Sequence, residues 1–295
     1  MSHAFSAALG VNVPPIAIVD VGAMAEGPDR HASLVDGGMA TVVGFEPNPE
    51  QFERLAASPR PGRTYLPYCL GKGGPAELHI TRYPGCTSLL RPDPRVIDLF
   101  RSLDATDSGG NFHVVRREAV VTRRLDDVAE CPPPDFLKVD VQGGELDVLK
   151  GGVRALEQCL VVECEVEFVP LYQNQPLFSD VDQFLRRHGF VLHKLINIAG
   201  RAMLPFAVQD SPFSPLSQLL WADAVFIRDF MRLDVLADEQ LLKLACILHE
   251  AYRSDDMAFH LLREYDRRRG AHSCDGFLSF LRAKGLDIYF MNVCT

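Results

Sequence analysis

Several things that a chain of this length could contain are missing. No apolar run approaches the roughly 18 residues that a membrane-spanning helix needs, so no membrane span is expected. The opening Met-Ser-His-Ala-Phe-Ser-Ala-Ala-Leu-Gly has neither the basic start nor the long apolar core of a secretory leader. Positive charge is scarce: 30 Lys and Arg face 39 Asp and Glu, a formal charge of −9 at pH 7. The arginines that do cluster, at 116–117, 123–124 and 267–269, read as solvated edges or helix ends, so no nucleic-acid partner is expected. The cysteines (Cys69, Cys86, Cys131, Cys159, Cys164, Cys246, Cys274 and Cys294) include no Cys-x-x-Cys pair, and several lie in apolar, strand-like runs. They read as free thiols in a reducing cytoplasm, not as disulfides or zinc ligands, and the expected location is cytoplasmic. Gly-x-Ser-x-Gly, a Walker loop and His-Glu-x-x-His are all absent, so hydrolase, kinase and zinc-peptidase chemistry have no anchor.

What is present is an ordinary folding composition, 47% hydrophobic and 23% charged, enough for one large α/β domain with an appendage or for two domains. Residues 16–21 read as the first strand, 29–37 as a short helix ended by Gly37-Gly38, and 41–45 as the second strand. A helix to Ala57 follows, with Asn48 as N-cap, Pro49 at its first position and Gln51 at capping-box spacing. The third strand is placed at 64–70. Residues 71–125 form an excursion, with a half-exposed strand at 76–82, helical spacing at 94–103 and an extended run at 114–125. Strands are then predicted at 136–141 and 159–168, around a short helix that closes at Gly151-Gly152. A helix at 177–188 ends at Gly189, a strand follows at 190–195, and 202–209 with 222–228 make a final hairpin-like pair. From about 231 the pattern is helical only, at 234–252, 256–269 and 275–284, with Asp255 capping the second helix and Gly270 ending it. The division is therefore 1–230 as the main domain and 231–295 as a helical appendage, whose faces suit packing on the main domain, a protein partner or a second copy of the chain.

The most informative segment is Ile18-Val19-Asp20-Val21-Gly22-Ala23, followed by Gly44-Phe45-Glu46-Pro47-Asn48-Pro49. An apolar strand ending in an acid and a glycine, then a second ending in an acid, is how an open α/β sheet builds a nucleoside pocket. A dinucleotide would need Gly-x-Gly-x-x-Gly, with its diphosphate on the helix N-terminus. The chain instead reads Gly22-Ala23-Met24-Ala25-Glu26-Gly27, without the second glycine and with an acid where the diphosphate would lie. An acid-rich mouth suits a cationic cofactor without phosphate, and S-adenosylmethionine has that character. Two alternatives come from other classes: a nicotinamide-dependent oxidoreductase, and a non-catalytic cofactor-binding scaffold motivated by the altered 23–27 loop.

Further segments occur in order: Thr87-Ser-Leu-Leu-Arg-Pro, Arg124-Leu-Asp-Asp, Leu137-Lys-Val-Asp-Val-Gln-Gly-Gly-Glu, Val148-Leu-Lys-Gly and Glu163-Cys-Glu-Val-Glu-Phe. With the first two motifs they resemble the FkbM family of S-adenosylmethionine-dependent methyltransferases over roughly residues 16–195. The Lys-Val-Asp-Val-Gln-Gly-Gly-Glu segment is the most specific part. The resemblance implies a class I methyltransferase (Rossmann-like) α/β fold: a doubly wound, mostly parallel seven-stranded sheet with a reversed last strand. It also implies methyl transfer to a hydroxyl of a small molecule, sugar, glycan or polyketide. The chain departs from the family's pattern at Met24-Ala25-Glu26-Gly27, where members commonly have Asn and then Gly. It departs again at Cys69-Leu70-Gly71-Lys72, which lacks the acid many class I enzymes place near adenine.

The residues expected to matter follow from these placements. Glu46 is assigned to the ribose hydroxyls, and Asp20 with Gly22 to the glycine loop or the methionine ammonium. Backbone around Leu70 is assigned to adenine, and Gln142, at the neck of the next helix, to the cofactor. Asp140 ends the fourth strand where the transferring methyl should lie, so it is the candidate for orienting the acceptor hydroxyl or taking its proton. Glu163, Glu165 and Glu167 share one strand face, and Glu165 is the one chosen to reach the site. Asp140 with Glu165 offers hard oxygens, but no third ligand stands out, so no metal is expected. Thr87, Ser88 and Tyr172 are further acceptor-side candidates.

Overall fold

The computed structural model describes residues 4–23, 30–208 and 211–285. Met24-Ala25-Glu26-Gly27, the start of the helix expected at 29 and the end of the strand expected at 209 lie outside the described residues. The strands are β1 (Ile16–Val21), β2 (Ala40–Phe45), β3 (Arg63–Leu66), β4 (Gly74–Thr81), β5 (Val114–Thr122), β6 (Phe136–Val139), β7 (Val161–Glu167), β8 (Phe190–Gly200) and β9 (Leu219–Arg228). The helices are α1 (Ala4–Leu9), α2 (Ala32–Asp36), α3 (Pro49–Ala57), α4 (Pro94–Ile97), α5 (Glu145–Gly151), α6 (Val153–Gln158), α7 (Phe178–Arg187), α8 (Asp238–Tyr252), α9 (Asp255–Arg269) and α10 (Ser273–Ala283). No described helix is long and apolar enough to cross a membrane.

Seven strands form one sheet in the order β3-β2-β1-β6-β7-β9-β8. β1 and β6, β6 and β7, and β2 and β3 pair in parallel, while β9 runs antiparallel to both β7 and β8. This is the doubly wound class I arrangement, with its last strand reversed. The chain winds outward from β1 through β2 to β3, then returns to β6 on the other side of β1. The carboxyl ends of β1, β2 and β6 therefore meet at the switch point, where open α/β sheets bind ligands. Buried Val19, Leu137, Val162 and Phe226 from four neighbouring strands fill one side of the sheet, against Leu149 and Leu156 of α5 and α6. The excursion is an antiparallel β4–β5 hairpin with its own small core, in which Ile97, Phe100 and Phe112 surround Tyr172.

Local chemistry explains where elements start and stop. The Asn48 side chain accepts from the Glu50 and Gln51 N–H groups at 3.0 and 3.2 Å, starting α3. The reciprocal half of the capping box is made differently: the Asn48 N–H goes to Glu46 Oε1 at 2.7 Å, not to Gln51. β3 stops at Leu66 because Pro67 has no N–H to give a ladder. The helical spacing at 94–103 yields only the four residues of α4, and the turns after it include Ser102 in a left-handed conformation (φ 63°). The expected strand at 202–209 is corrected. The hairpin partner of β9 is β8, which runs to Gly200, and 202–208 form turns around Pro205 with Met203, Leu204 and Phe206 facing solvent.

The chain divides into two compact units. One comprises 17–27 and 42–229; the other comprises 1–16, 28–41 and 230–295. The first holds most of the sheet and the excursion. In the second, α8 pairs with α9, α10 packs on α1 and α9, and α2 lies against α8. Phe5 of α1 stacks on His249 at 5.2 Å and meets Phe277 edge-on at 5.6 Å. Asp255 begins α9, and its carboxylate takes His249 Nδ1 at 2.6 Å; the N-cap position belongs to Ser254. Gly270 ends α9 in the left-handed conformation.

Candidate active site

Three strand ends are locked together by backbone hydrogen bonds. The N–H groups of Gly22 and Ala23 both donate to Phe45 O at 3.0 Å, and Asp140 N–H donates to Val21 O at 2.9 Å. This convergence requires glycine at 22. Its φ is +87°, and a Cβ there would lie 1.9 Å from the Asp140 carbonyl oxygen.

Glu46 follows β2 directly, and only 4% of it is exposed. Burial pushes its pKa up, the Asn48 N–H pulls it down and nearby Asp20 raises it again. Oε1 is engaged by Asn48, and among the described residues Oε2 takes no hydrogen bond. A buried carboxylate with one oxygen tethered and the other open is suited to a ligand that brings hydroxyl donors. Cys69 lies close enough to Glu46 for that charge to help raise its thiol pKa to about 11, after burial. Leu70 places its side chain in the core. Its neighbours bond to Arg123: Arg123 N–H donates to Cys69 O at 2.8 Å, and Gly71 N–H donates to Arg123 O at 2.9 Å. The backbone groups of Leu70 itself are not part of that pair.

Beneath the strand tips runs a buried charge row that the residue-by-residue reading missed. Asp20, Lys138 and Glu163 sit side by side on β1, β6 and β7. Lys138 Nζ is 3.2 Å from Asp20 Oδ1. Burial alone would lower the lysine's pKa, but attraction by Asp20, Asp140 and Glu163 overrides it and raises the value. The acids on this face therefore have an internal counter-ion. The available signal was Lys138 itself, a lysine inside an otherwise apolar strand.

One residue pair along from that row is the acidic centre. Gln142 Nε2 donates to Asp140 Oδ1 at 3.0 Å and to Glu165 Oε2 at 2.7 Å. Its Oε1 lies 3.3 Å from the Tyr172 hydroxyl, and its backbone carbonyl accepts from Ser88 Oγ at 2.6 Å. Both amide protons of Gln142, the residue expected on the cofactor, go to carboxylates. Ser88 and Tyr172, expected near the acceptor, are each 1% exposed and bond to Gln142. Glu145 Oε1 accepts from the Val141 and Gly143 N–H groups, both at 2.9 Å. Burial pushes Glu145 up to about 7 against those donors. Glu165 is held well above its ordinary range, first by burial and then by Asp140, Glu167, Glu145 and Asp223. Glu145 is the third carboxylate that the sequence did not single out: ligand oxygens of Asp140, Glu145 and Glu165 lie within 4.8 Å of one another. The Gln142 amide and two backbone N–H groups already bind this cluster from inside.

A polar cleft of about 500 Å³ adjoins Tyr172, lined by Asp93, Arg95, Pro170, Gln173, Asn174 and Gln175. Arg95 is held along its edge by a two-point pairing with Asp93, at 2.9 and 2.6 Å.

The model of the Methyltransferase FkbM domain matches residues 20–192, the segment that carries Gly22, Glu46, Lys138, Asp140, Gln142, Glu145 and Glu165. The chain belongs to the FkbM methyltransferase family. It is similar to the hexuronic acid methyltransferase AglP of Haloferax volcanii, 27% identical over 166 residues, which is 54% of this chain and 63% of that protein. The chain thus spans just under two thirds of that relative's length. Similar solved structures include precorrin-6y C5,15-methyltransferase from Geobacter metallireducens GS-15, at 11% identity, 76% and 85% coverage and a TM-score of 0.34. Another is magnesium protoporphyrin IX methyltransferase (ChlM) from Synechocystis PCC 6803 with bound SAM, at 9% identity, 74% and 72% coverage and a TM-score of 0.34. The family is one of methyltransferases, and the nicotinamide reading is not retained.

Proposed function

We propose that this FkbM methyltransferase uses S-adenosylmethionine to methylate a hydroxyl oxygen, with a carbohydrate as the favoured acceptor. The observation that carries the cofactor reading is Glu46: a buried carboxylate at the end of β2 with one oxygen tethered and the other without a hydrogen bond among the described residues. Gly22 keeps side-chain atoms out of the crevice, and the acidic centre suits a cation. Glu46 would hold the ribose hydroxyls, Asp20 the amino-acid end, and Leu70 backbone the adenine. When bound, the cofactor supplies a methyl group activated by positively charged sulfur.

Asp140 is the residue proposed to orient the acceptor hydroxyl and receive its proton as the oxygen attacks, with Glu165 sharing that charge. Burial and the neighbouring acids hold Glu165 above the ordinary carboxylate range, which brings that member of the pair closer to the alcohol whose proton is taken. The Haloferax relative named for a hexuronic acid supports a sugar acceptor. So does the adjoining cleft, whose amides and arginine match hydroxyl and carboxylate groups in a volume typical of ligand sites.

Calorimetry tests the cofactor assignment. Glu46→Ala is expected to raise the Kd for S-adenosylmethionine by about 30-fold or more, as for loss of hydrogen bonds to a charged group. Unchanged affinity in a folded variant overturns the ribose assignment. Transfer of labelled methyl to D-glucuronic acid, compared with D-glucose, tests the acceptor class. Label in neither sugar directs the search to other hydroxylated acceptors.

A further inference from the structure

We propose that Ser88 and Tyr172 are positioning residues that hold Gln142 where its amide sets the spacing of Asp140 and Glu165. The inference rests on the proposed role of those two carboxylates, but its first test does not.

Gln142 has φ +58°, a left-handed conformation that a side chain other than glycine's adopts only when its surroundings impose it. Gly143 follows at φ +96°, where a Cβ would meet Gln175 Nε2 at 2.8 Å. The imposing contacts come from far along the chain. Ser88, on the excursion, donates to the Gln142 carbonyl and is itself fixed by the Leu90 N–H at 2.9 Å. Tyr172, beyond β7, shares its hydroxyl proton between Cys86 O at 3.0 Å and Gln142 Oε1 at 3.3 Å. That contact also decides the amide's orientation. With the oxygen toward Tyr172, both N–H bonds face the carboxylates, one to each.

The consequence is electrostatic. Two neighbouring carboxylates repel unless a proton or a donor lies between them. The Gln142 NH2 group provides two donors at a fixed angle, so both acids keep their orientation and their outward lone pairs. A Gln142 free to swing would let the pair splay. The excursion is thereby tied to the chemistry by a hydrogen bond from Ser88 to one strained residue.

The test needs no known acceptor. In nitrogen-labelled protein, the Gln142 side-chain amide is assigned by the signal lost in Gln142→Glu. It should be a pair of slowly exchanging protons. In Tyr172→Phe and in Ser88→Ala, its exchange should quicken at least tenfold, while the melting curve stays cooperative. Unchanged exchange in both variants overturns the proposal. If Tyr172→Phe fails to fold, Ser88→Ala decides.

With D-glucuronic acid as probe acceptor, either variant should lower kcat about tenfold and leave the KM for S-adenosylmethionine within twofold. Gln142→Ala combined with Tyr172→Phe should be no slower than Gln142→Ala alone. Additive losses count against the proposal. If Asp140→Asn leaves kcat intact, the carboxylate reading fails, while the exchange result still reports on the clamp.

Discussion

At the scale of single residues, the site is a problem of carboxylates without enough cations. Lys138 gives the inner row one counter-ion, paired with Asp20, but Glu145 and Glu165 keep pKa values above the ordinary range. A cationic ligand favours their ionised forms, so its binding should release protons. Affinity for S-adenosylmethionine should therefore rise with pH through the Glu145 value of about 7. S-adenosylhomocysteine, whose sulfur is neutral, should show a shallower rise. Calorimetry from pH 6 to 8 checks this, with a roughly five- to tenfold gain expected for the sulfonium compound. Parallel pH dependence for the two ligands would contradict a role for the acidic centre in recognising charge.

At the scale of elements, the neck between β6 and α5 concentrates unusual backbone: Gln142 and Gly143 are left-handed, and the Glu145 carboxylate returns to the Val141 and Gly143 N–H groups. Because Glu145 has a raised pKa in the folded state, the native protein binds more protons than the unfolded chain between about 4.5 and about 7. Its contribution to stability is therefore fully present below pH 4.5 and is lost as pH rises through 7. Denaturant titrations of the chain and of Glu145→Gln should show a flatter pH profile for the variant across that window. The elements that position the site were largely legible in the sequence. β1, β2 and α3 carry local signals: an apolar run ending in Asp20 and Gly22, another ending before Glu46, and the Asn48-Pro49 cap. The 202–209 segment was misread because its apolar residues look like a strand, yet Pro205 lies among them and the ladder edge was taken by β8.

At the scale of the whole molecule, the 231–295 helices were read as an appendage from their change of pattern. In the structure, α1 and α2 cluster with them, so this unit is assembled from three separate stretches of chain. Phe5 is fully buried between His249 and Phe277. Phe5→Ala should cost about 3–5 kcal/mol, the range for emptying a buried aromatic site. Thermal unfolding would show it as a lowered Tm, with the Kd for S-adenosylmethionine unchanged well below the transition, since the assigned cofactor contacts lie in the other unit. An unaltered Tm would mean that this aromatic cluster does not hold α1.

The sequence alone determined the alternation of strands and helices, the acids and glycine at the tips of β1, β2 and β6, and the poverty of basic surface. Each is written in neighbouring residues, as burial periodicity, capping chemistry or charge count. Tertiary structure decided the rest: that Lys138 answers Asp20, that Glu145 joins Asp140 and Glu165, and that Ser88 bonds to a residue 54 positions later. Those pairings depend on strand register and on how an inserted segment folds back. Local pattern fixes which face a side chain takes, while the partner it meets there is set only when distant segments pack.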